Sequence, residues 1–130
     1  MPIRHSIDDT REVLEITMSG PVTGREFSAF ALDLYGNRSE LFDYECVLDL
    51  LDYEGSVEYS DLNALQQAYE RAPERSTARQ GAIITRDPNF RFWAAVLDAQ
   101  FPGRKHFVVG SRSEAFARLA ELRTANSAGM

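Results

Sequence analysis

Cysteine and histidine are scarce in this sequence, which has one cysteine, Cys46, and two histidines, His5 and His106. A lone cysteine cannot form an internal disulfide, so the cross-linked scaffolds of small extracellular proteins are excluded. These three side chains are also too few for a structural zinc site. Neither histidine lies in a motif that connects it to a nucleophile, and Cys46, in an apolar run, is typical of a buried thiol. We therefore expect no catalytic residues and no metal ligands.

The sequence also lacks the signatures of a membrane span, a leader segment, a nucleotide-binding loop and a basic surface. The sequence has no run of about 18 apolar residues and no charged leader followed by an apolar segment. It has neither a Walker loop nor a Gly-x-Gly-x-x-Gly motif, so we expect no cofactor. Fourteen basic residues against 20 acidic ones give a net charge of −6, the wrong sign for a nucleic-acid or anionic-membrane binder. We expect a soluble, cytoplasmic protein with no membrane span and no nucleic-acid partner.

Acidic residues are concentrated in the first half of the chain. Residues 1–65 carry a net charge of −10, whereas residues 66–130 carry a net charge of +4. From Glu40 to Asp61 there are eight carboxylates and no basic side chain. Such a run is typical of a solvated face whose charge is partly compensated by arginines from the second half. A docking surface for a basic partner is the alternative.

The apolar pattern predicts an α/β fold. A chain of 130 residues, 44% of them hydrophobic, is expected to form a single domain with one core. Alternating apolar residues predict strands over 3–7 and 12–19, joined as an N-terminal hairpin, and apolar runs predict strands over 46–51, 81–85 and 105–109. Helices between the later strands give the order ββαβαβαβα and a mixed sheet whose later strands are parallel. We assign the domain to residues 1–123 and a flexible tail to residues 124–130.

The starts of the predicted helices carry side chains that cap free backbone N–H groups. They are two capping boxes, Thr23 with Glu26 and Ser111 with Glu114, the Asp87-Pro88 pair before the third helix, and Ser60 at the expected N-cap of the second helix.

The third predicted helix, over residues 88–101, is apolar on more than one side. Phe90, Trp93 and Leu97 lie at helical spacing, which is typical of a core stripe, although the same residues would line a lipophilic pocket. Phe92 and Val96 lie on a ridge rotated by about 100° from that stripe, and we expect them to be exposed. We assign Phe90, Phe92, Trp93 and Val96 to a surface for a ligand or a partner, including a second copy of the chain in a homodimer.

Four carboxylates, Asp52, Glu54, Glu58 and Asp61, follow the predicted central strand. Ligands bind beyond the carboxyl ends of parallel strands, and converging carboxylates can hold Mg²⁺ or Ca²⁺. Their spacing matches no calcium-binding loop, so we expect a solvated loop without a tightly bound metal. A metal-assisted hydrolase that uses this acidic loop is the alternative function.

Three segments of the second half form a recognisable set: Ala-Ile-Ile-Thr-Arg-Asp-Pro at 82–88, Phe-Pro-Gly at 101–103 and Ser-Glu-Ala-Phe-Ala-Arg-Leu at 113–119. This set resembles the SpoIIAA-like family, which shares its fold with STAS domains and is more distantly similar to CRAL-TRIO lipid-binding domains. The resemblance implies one STAS-like domain that acts as a non-enzymatic regulatory or binding module, with an apolar small molecule or a protein as partner.

The same resemblance implies a candidate phosphorylation site. STAS proteins of the sporulation type carry a serine at the start of the second helix that a partner kinase phosphorylates, and Ser60 is the comparable residue here. A phosphate is stabilised at a helix N-terminus, but Glu58 and Asp61 would repel it. An N-cap role for Ser60 is the structural alternative.

Overall fold

A computed structural model describes residues 2–72 and 79–128 of the protein. In this part of the chain five strands form one mixed sheet in the order β1-β2-β3-β4-β5. They are β1 (Ile3–Asp8), β2 (Val13–Gly20), β3 (Glu45–Tyr53), β4 (Arg79–Ile84) and β5 (Arg104–Val109). The first two strands form an antiparallel hairpin, and each later strand pairs in parallel with the one before it. The predicted hairpin and parallel strands are confirmed.

The helices are α1 (Gly24–Asn37), α2 (Asn63–Arg71), α3 (Phe90–Gln100) and α4 (Arg112–Ala128), which gives the predicted order ββαβαβαβα. Short 3₁₀ helices at Ser39–Asp43 and Tyr59–Leu62 precede β3 and α2. None of the described helices combines the length and apolar character that a membrane crossing requires.

The sheet separates two apolar layers, because successive side chains of a strand point to opposite faces. Leu14, Ile16 and Met18 of β2 lie on the face that α1, α2 and α3 cover. Val13 of β2 and Val47 of β3 lie on the other face, in the layer that α4 completes. The three connecting helices therefore share one layer, and α4 forms the second layer alone.

Capping side chains fix the starts of α1 and α4. The predicted box at Thr23 and Glu26 is present in both directions. At α4 the backbone N–H of Glu114 donates to the Ser111 hydroxyl, while the Glu114 carboxylate accepts from the N–H of Gly110. Both predicted pairs therefore cap their helices. In the second pair, the Glu114 carboxylate accepts from the N–H of Gly110 and not from that of Ser111.

The predicted N-cap at Ser60 is wrong. Ser60 is the second residue of the 3₁₀ helix, whose reciprocal caps are Glu58 and Asp61, and α2 begins only at Asn63. Asp87 also lies before the cap of α3: its carboxylate accepts from the N–H of Asn89, and the helix begins at Phe90. In both places a tight turn precedes the helix, and the residue predicted to cap the helix lies in that turn.

Arginines of the second half pair with carboxylates of the first half, as the charge distribution predicts. Arg112 donates two hydrogen bonds to Glu15, at 2.7 and 3.1 Å, and Arg123 forms an ion pair with the buried Glu45. These contacts hold both ends of α4 against the sheet. The helix is described through residue 128, and the division into a domain and a tail at residue 123 stays a prediction.

Candidate functional site

A cavity of about 130 Å³ lies between the sheet and its three-helix layer. Its floor is formed by residues of β2, β3, β4 and β5, and its roof by α1, α2, α3 and the first 3₁₀ helix. The lining is almost entirely apolar and aromatic. The lining includes Tyr35, Phe42, Cys46, Tyr53, Val57, Tyr69, Phe90, Trp93, Phe101, Arg104 and His106.

One end of the cavity lies at the carboxyl ends of the strands. Tyr53 at the end of β3, Val57 in the following loop and Phe90 and Trp93 in the first turn of α3 line it and are all partly exposed. The Tyr53 hydroxyl donates to the carbonyl of Val22 at 2.9 Å, which holds this ring against the start of α1. Ligands of parallel sheets bind at this edge, so we regard this end as the entrance.

Four aromatic rings in contact line the opposite end. Tyr35 stacks on Phe42 with ring centroids 4.2 Å apart, and Phe42 contacts Tyr69 edge-on at 5.5 Å. Tyr69 contacts Phe101 edge-on at 5.3 Å and donates a 2.6 Å hydrogen bond to the Pro102 carbonyl. This row links α1, the first 3₁₀ helix, α2 and the end of α3, and it makes that end of the cavity rigid.

A buried guanidinium lies beside the aromatic row. Arg104, 8% exposed at the start of β5, donates to the carbonyls of Phe42 at 2.8 Å, Tyr44 at 2.9 Å and Gln80 at 3.4 Å. The planar fork of an arginine suits such multiple acceptors. Arg104 therefore ties the first 3₁₀ helix and two strands together, and its donors are largely occupied by backbone.

Cys46, Gly81 and His106 lie side by side across β3, β4 and β5 on the cavity face. The His106 ring is held from α3: its Nδ1 is 2.8 Å from Asp98 Oδ1, and the same oxygen accepts the His106 backbone N–H at 2.7 Å. Only 11% of the His106 side chain is exposed. The ring edge carrying Cδ2 and Nε2 lies over Gly81.

Burial keeps the polar groups of this region neutral. It raises the pKa of the Cys46 thiol and of the Tyr35 hydroxyl, although the nearby Arg104 lowers both in part. It also lowers the pKa of His106, against the opposing effect of the hydrogen bond with Asp98. The cavity therefore presents apolar walls and a few uncharged polar atoms beside one guanidinium.

The predicted surface residues of α3 divide between two environments. Phe90 and Trp93 line the cavity, whereas Phe92 is 74% exposed and Val96 is partly buried. The expected exposure is therefore present at Phe92 and wrong at Val96, because Val96 lies closer to the core side of the helix. The assignment of these residues to a ligand or partner surface stays a prediction.

The acidic loop does not assemble a metal site. Among residues 2–72 and 79–128, no group of three or more His, Cys, Asp or Glu side chains is arranged to hold a metal ion. Asp61 accepts the backbone N–H of Glu58 at 2.8 Å, and Asp52 and Glu54 are exposed. The hydrolase alternative therefore has no support in the structure. Ser60 is exposed, and its phosphorylation stays a prediction.

The sequence did not indicate two functional residues, Arg104, which lines the cavity, and Asp98, which holds the His106 ring. Arg104 falls one residue before the predicted last strand, and Asp98 is eight residues before His106, on a different element. The signal available for Arg104 is a charged residue directly before the predicted strand over 105–109, and the polar residues Lys105 and His106 that follow it make this signal weak. Nothing in the spacing of Asp98 and His106 marks them as partners.

Comparison with known proteins defines the fold. No protein-family model and no curated protein matches the sequence. The backbone is similar to the crystal structure of a DUF3478 family protein from Shewanella loihica PV-4, which has a SpoIIAA-like fold. The TM-score is 0.58 over 90% of this chain and 91% of the other, at 14% sequence identity. The protein is thus an α/β domain with a SpoIIAA-like, STAS-like fold, as the sequence resemblance predicts.

Proposed function

We propose that the protein is a non-enzymatic binding module that holds a small apolar molecule, or the apolar end of a larger one, in the cavity between the sheet and α2 and α3. The observation that supports it best is the cavity itself, about 130 Å³ and lined by apolar and aromatic side chains. An engineered apolar cavity of about 150 Å³ is known to stay dry and to bind benzene or xenon. The volume therefore suits a single ring or a short chain.

The energetic cost of this cavity supports the proposal. Protein interiors are closely packed, and unfilled volume costs about 24 cal/mol per Å³, or roughly 3 kcal/mol for a space of this size. That is a large fraction of the stability of a small domain. A ligand that fills the cavity would recover much of this free energy.

The single tryptophan of the chain, Trp93, lines the cavity and provides the test. Bromobenzene quenches tryptophan fluorescence on contact, so its binding should quench Trp93 saturably. Cys46→Leu, which places a larger apolar side chain in the cavity, should weaken the quenching. Phe92→Ala, on the exposed side of the same helix, serves as the matched control and should leave it unchanged.

The proposal fails if bromobenzene shortens the fluorescence lifetime of Trp93 in the wild-type protein in the same proportion as it lowers the intensity, because that behaviour indicates collision in solution and not a bound quencher. It also fails if Cys46→Leu and wild type give the same saturable curve while both retain the same far-UV circular dichroism.

A regulatory role through Ser60 is a narrower part of the proposal. Ser60 lies two residues before Leu62, which with Leu65 forms part of the cavity lining. A phosphate at Ser60 would lie close to the caps Glu58 and Asp61 and would repel them. Phosphorylation would then loosen the 3₁₀ helix beside the entrance, and Ser60→Glu should weaken bromobenzene binding whereas Ser60→Ala should not.

A further inference from the structure

The orientation of the His106 ring fixes which of its nitrogens carries the proton. Asp98 Oδ1 lies 2.8 Å from Nδ1 and also accepts the backbone N–H of His106. A carboxylate accepts hydrogen bonds and does not donate them, so Nδ1 must be the protonated nitrogen of the neutral ring. Nε2 is then left with a lone pair and acts only as an acceptor.

This acceptor lies on the cavity wall. A Cβ atom on Gly81 would be 2.6 Å from His106 Cδ2 and 3.1 Å from Nε2, so this edge of the ring covers the glycine in the middle of the cavity floor. Asp98 holds the opposite side of the ring, toward α3. Nε2 therefore lies over Gly81, at the floor of the cavity.

The described contacts of the His106 ring give Nδ1 a partner, Asp98, and give Nε2 none. Arg104, two residues earlier on β5, directs its guanidinium to the carbonyls of Phe42, Tyr44 and Gln80. Nε2 does not belong to the fully buried, unpaired side-chain atoms of the described residues, so its lone pair is accessible to a donor that enters the cavity. This arrangement leaves Nε2 available to a hydrogen-bond donor on a molecule that occupies the cavity.

We propose that His106 Nε2 accepts a hydrogen bond from a hydroxyl group of the bound molecule, so that the ligand class is a small alcohol or phenol with an apolar skeleton. This inference rests on the proposed function, since it requires that the cavity be occupied. Asp98 is a positioning residue: it sets the tautomer and the orientation of the ring and does not contact the ligand.

Phenol and toluene provide the test, because they have nearly the same size and differ by the hydroxyl group. Each is used to displace bromobenzene from Trp93, with excitation beyond the absorption of phenol. His106→Phe keeps an aromatic ring and removes the acceptor. We expect this substitution to weaken phenol binding about tenfold to a hundredfold and to change toluene binding less than about threefold.

A second measurement needs no substitution. The ¹⁵N chemical shifts of the His106 imidazole should identify the Nδ1–H tautomer in the free wild-type protein. Saturating phenol should shift the Nε2 signal in the direction of hydrogen bonding, and saturating toluene should not.

The outcomes separate the two proposals. If neither compound displaces bromobenzene and bromobenzene itself does not bind saturably, the proposed function fails. If both compounds bind but phenol leaves the Nε2 shift unchanged, or His106→Phe weakens both equally, the cavity binds ligands and the assignment of a hydroxyl to His106 is overturned.

Discussion

The His106 imidazole occupies the space that a side chain on Gly81 would need, with Cδ2 only 2.6 Å from the position of a Cβ atom. The two residues pair across β4 and β5, and Gly81 is the residue of β4 directly between His106 and Cys46. A glycine inside a strand weakens it, and it is common where another group approaches the backbone closely. The absence of a side chain at Gly81 therefore leaves room for the His106 ring at the cavity floor.

Gly81→Ala should destabilise the protein by about 1–3 kcal/mol, because the added methyl group forces the ring away from Asp98 or the strands apart. Urea denaturation followed by circular dichroism measures the change. Gly36→Ala is the matched control, since nothing lies within 4 Å of a Cβ there and the residue is in α1. That substitution should be neutral or stabilise by up to about 1 kcal/mol. A neutral Gly81→Ala would contradict the close approach.

Stability should depend on pH through His106. Burial lowers its pKa below the ordinary value of 6.5, while the groups around it, Asp98 and Arg104, act in opposite directions. The unfolded chain then binds more protons than the folded one below about pH 6.5. The stabilisation is fully present above that pH and is lost as the pH falls toward the lowered pKa.

The free energy of unfolding of wild type should therefore be smaller at about pH 5.5 than at about pH 7.5. His106→Phe removes the group and should reduce this difference. An equal pH dependence in the two proteins would show that His106 does not titrate differently on unfolding.

The ion pair between Glu45 and Arg123 should be important for anchoring α4. The Glu45 side chain is 3% exposed and that of Arg123 is 38% exposed. Arg123→Leu leaves a buried carboxylate without its partner and should cost about 2–4 kcal/mol in urea denaturation. The double substitution Glu45→Leu with Arg123→Leu should recover most of that loss, since two apolar groups need no charge compensation. A double variant as unstable as the single one would show that the charge pair is not the cause.

The order of elements could be predicted because each one carries its own local signal. The apolar run after Cys46 marks the central strand, and the Thr23 and Glu26 pair marks the start of α1 at the correct residue. These signals depend on residues that are close in sequence, and local backbone geometry sets the conformation of such residues. The α/β class and the order of strands and helices along the chain followed from them.

The start of α2 shows where local signals are insufficient. Glu58, Ser60 and Asp61 are all able to cap a helix, and the choice between them depends on a distant residue. Asp61 packs against Gly24 at the start of α1, where a Cβ would overlap its carboxylate, and this contact fixes the turn with Glu58 as its cap. The cavity and the Asp98 and His106 pair are likewise products of packing between elements, which no spacing in the sequence records.

The exposed ring of Phe92 leads to the last prediction, that two copies of the chain associate through α3. Phe92 is 74% exposed although Trp93, the next residue, lines the cavity. A large exposed aromatic side chain commonly marks a contact surface, and a twofold contact places the same ridge of two copies together.

Phe92→Glu introduces a repelling pair of charges at such a contact. Sedimentation velocity should then show a dimer for wild type and a monomer for the variant at the same concentration. Ala117→Glu, at an exposed position on α4 across the sheet, should remain dimeric. If wild type and Phe92→Glu sediment alike while both stay folded, α3 is not a contact between copies.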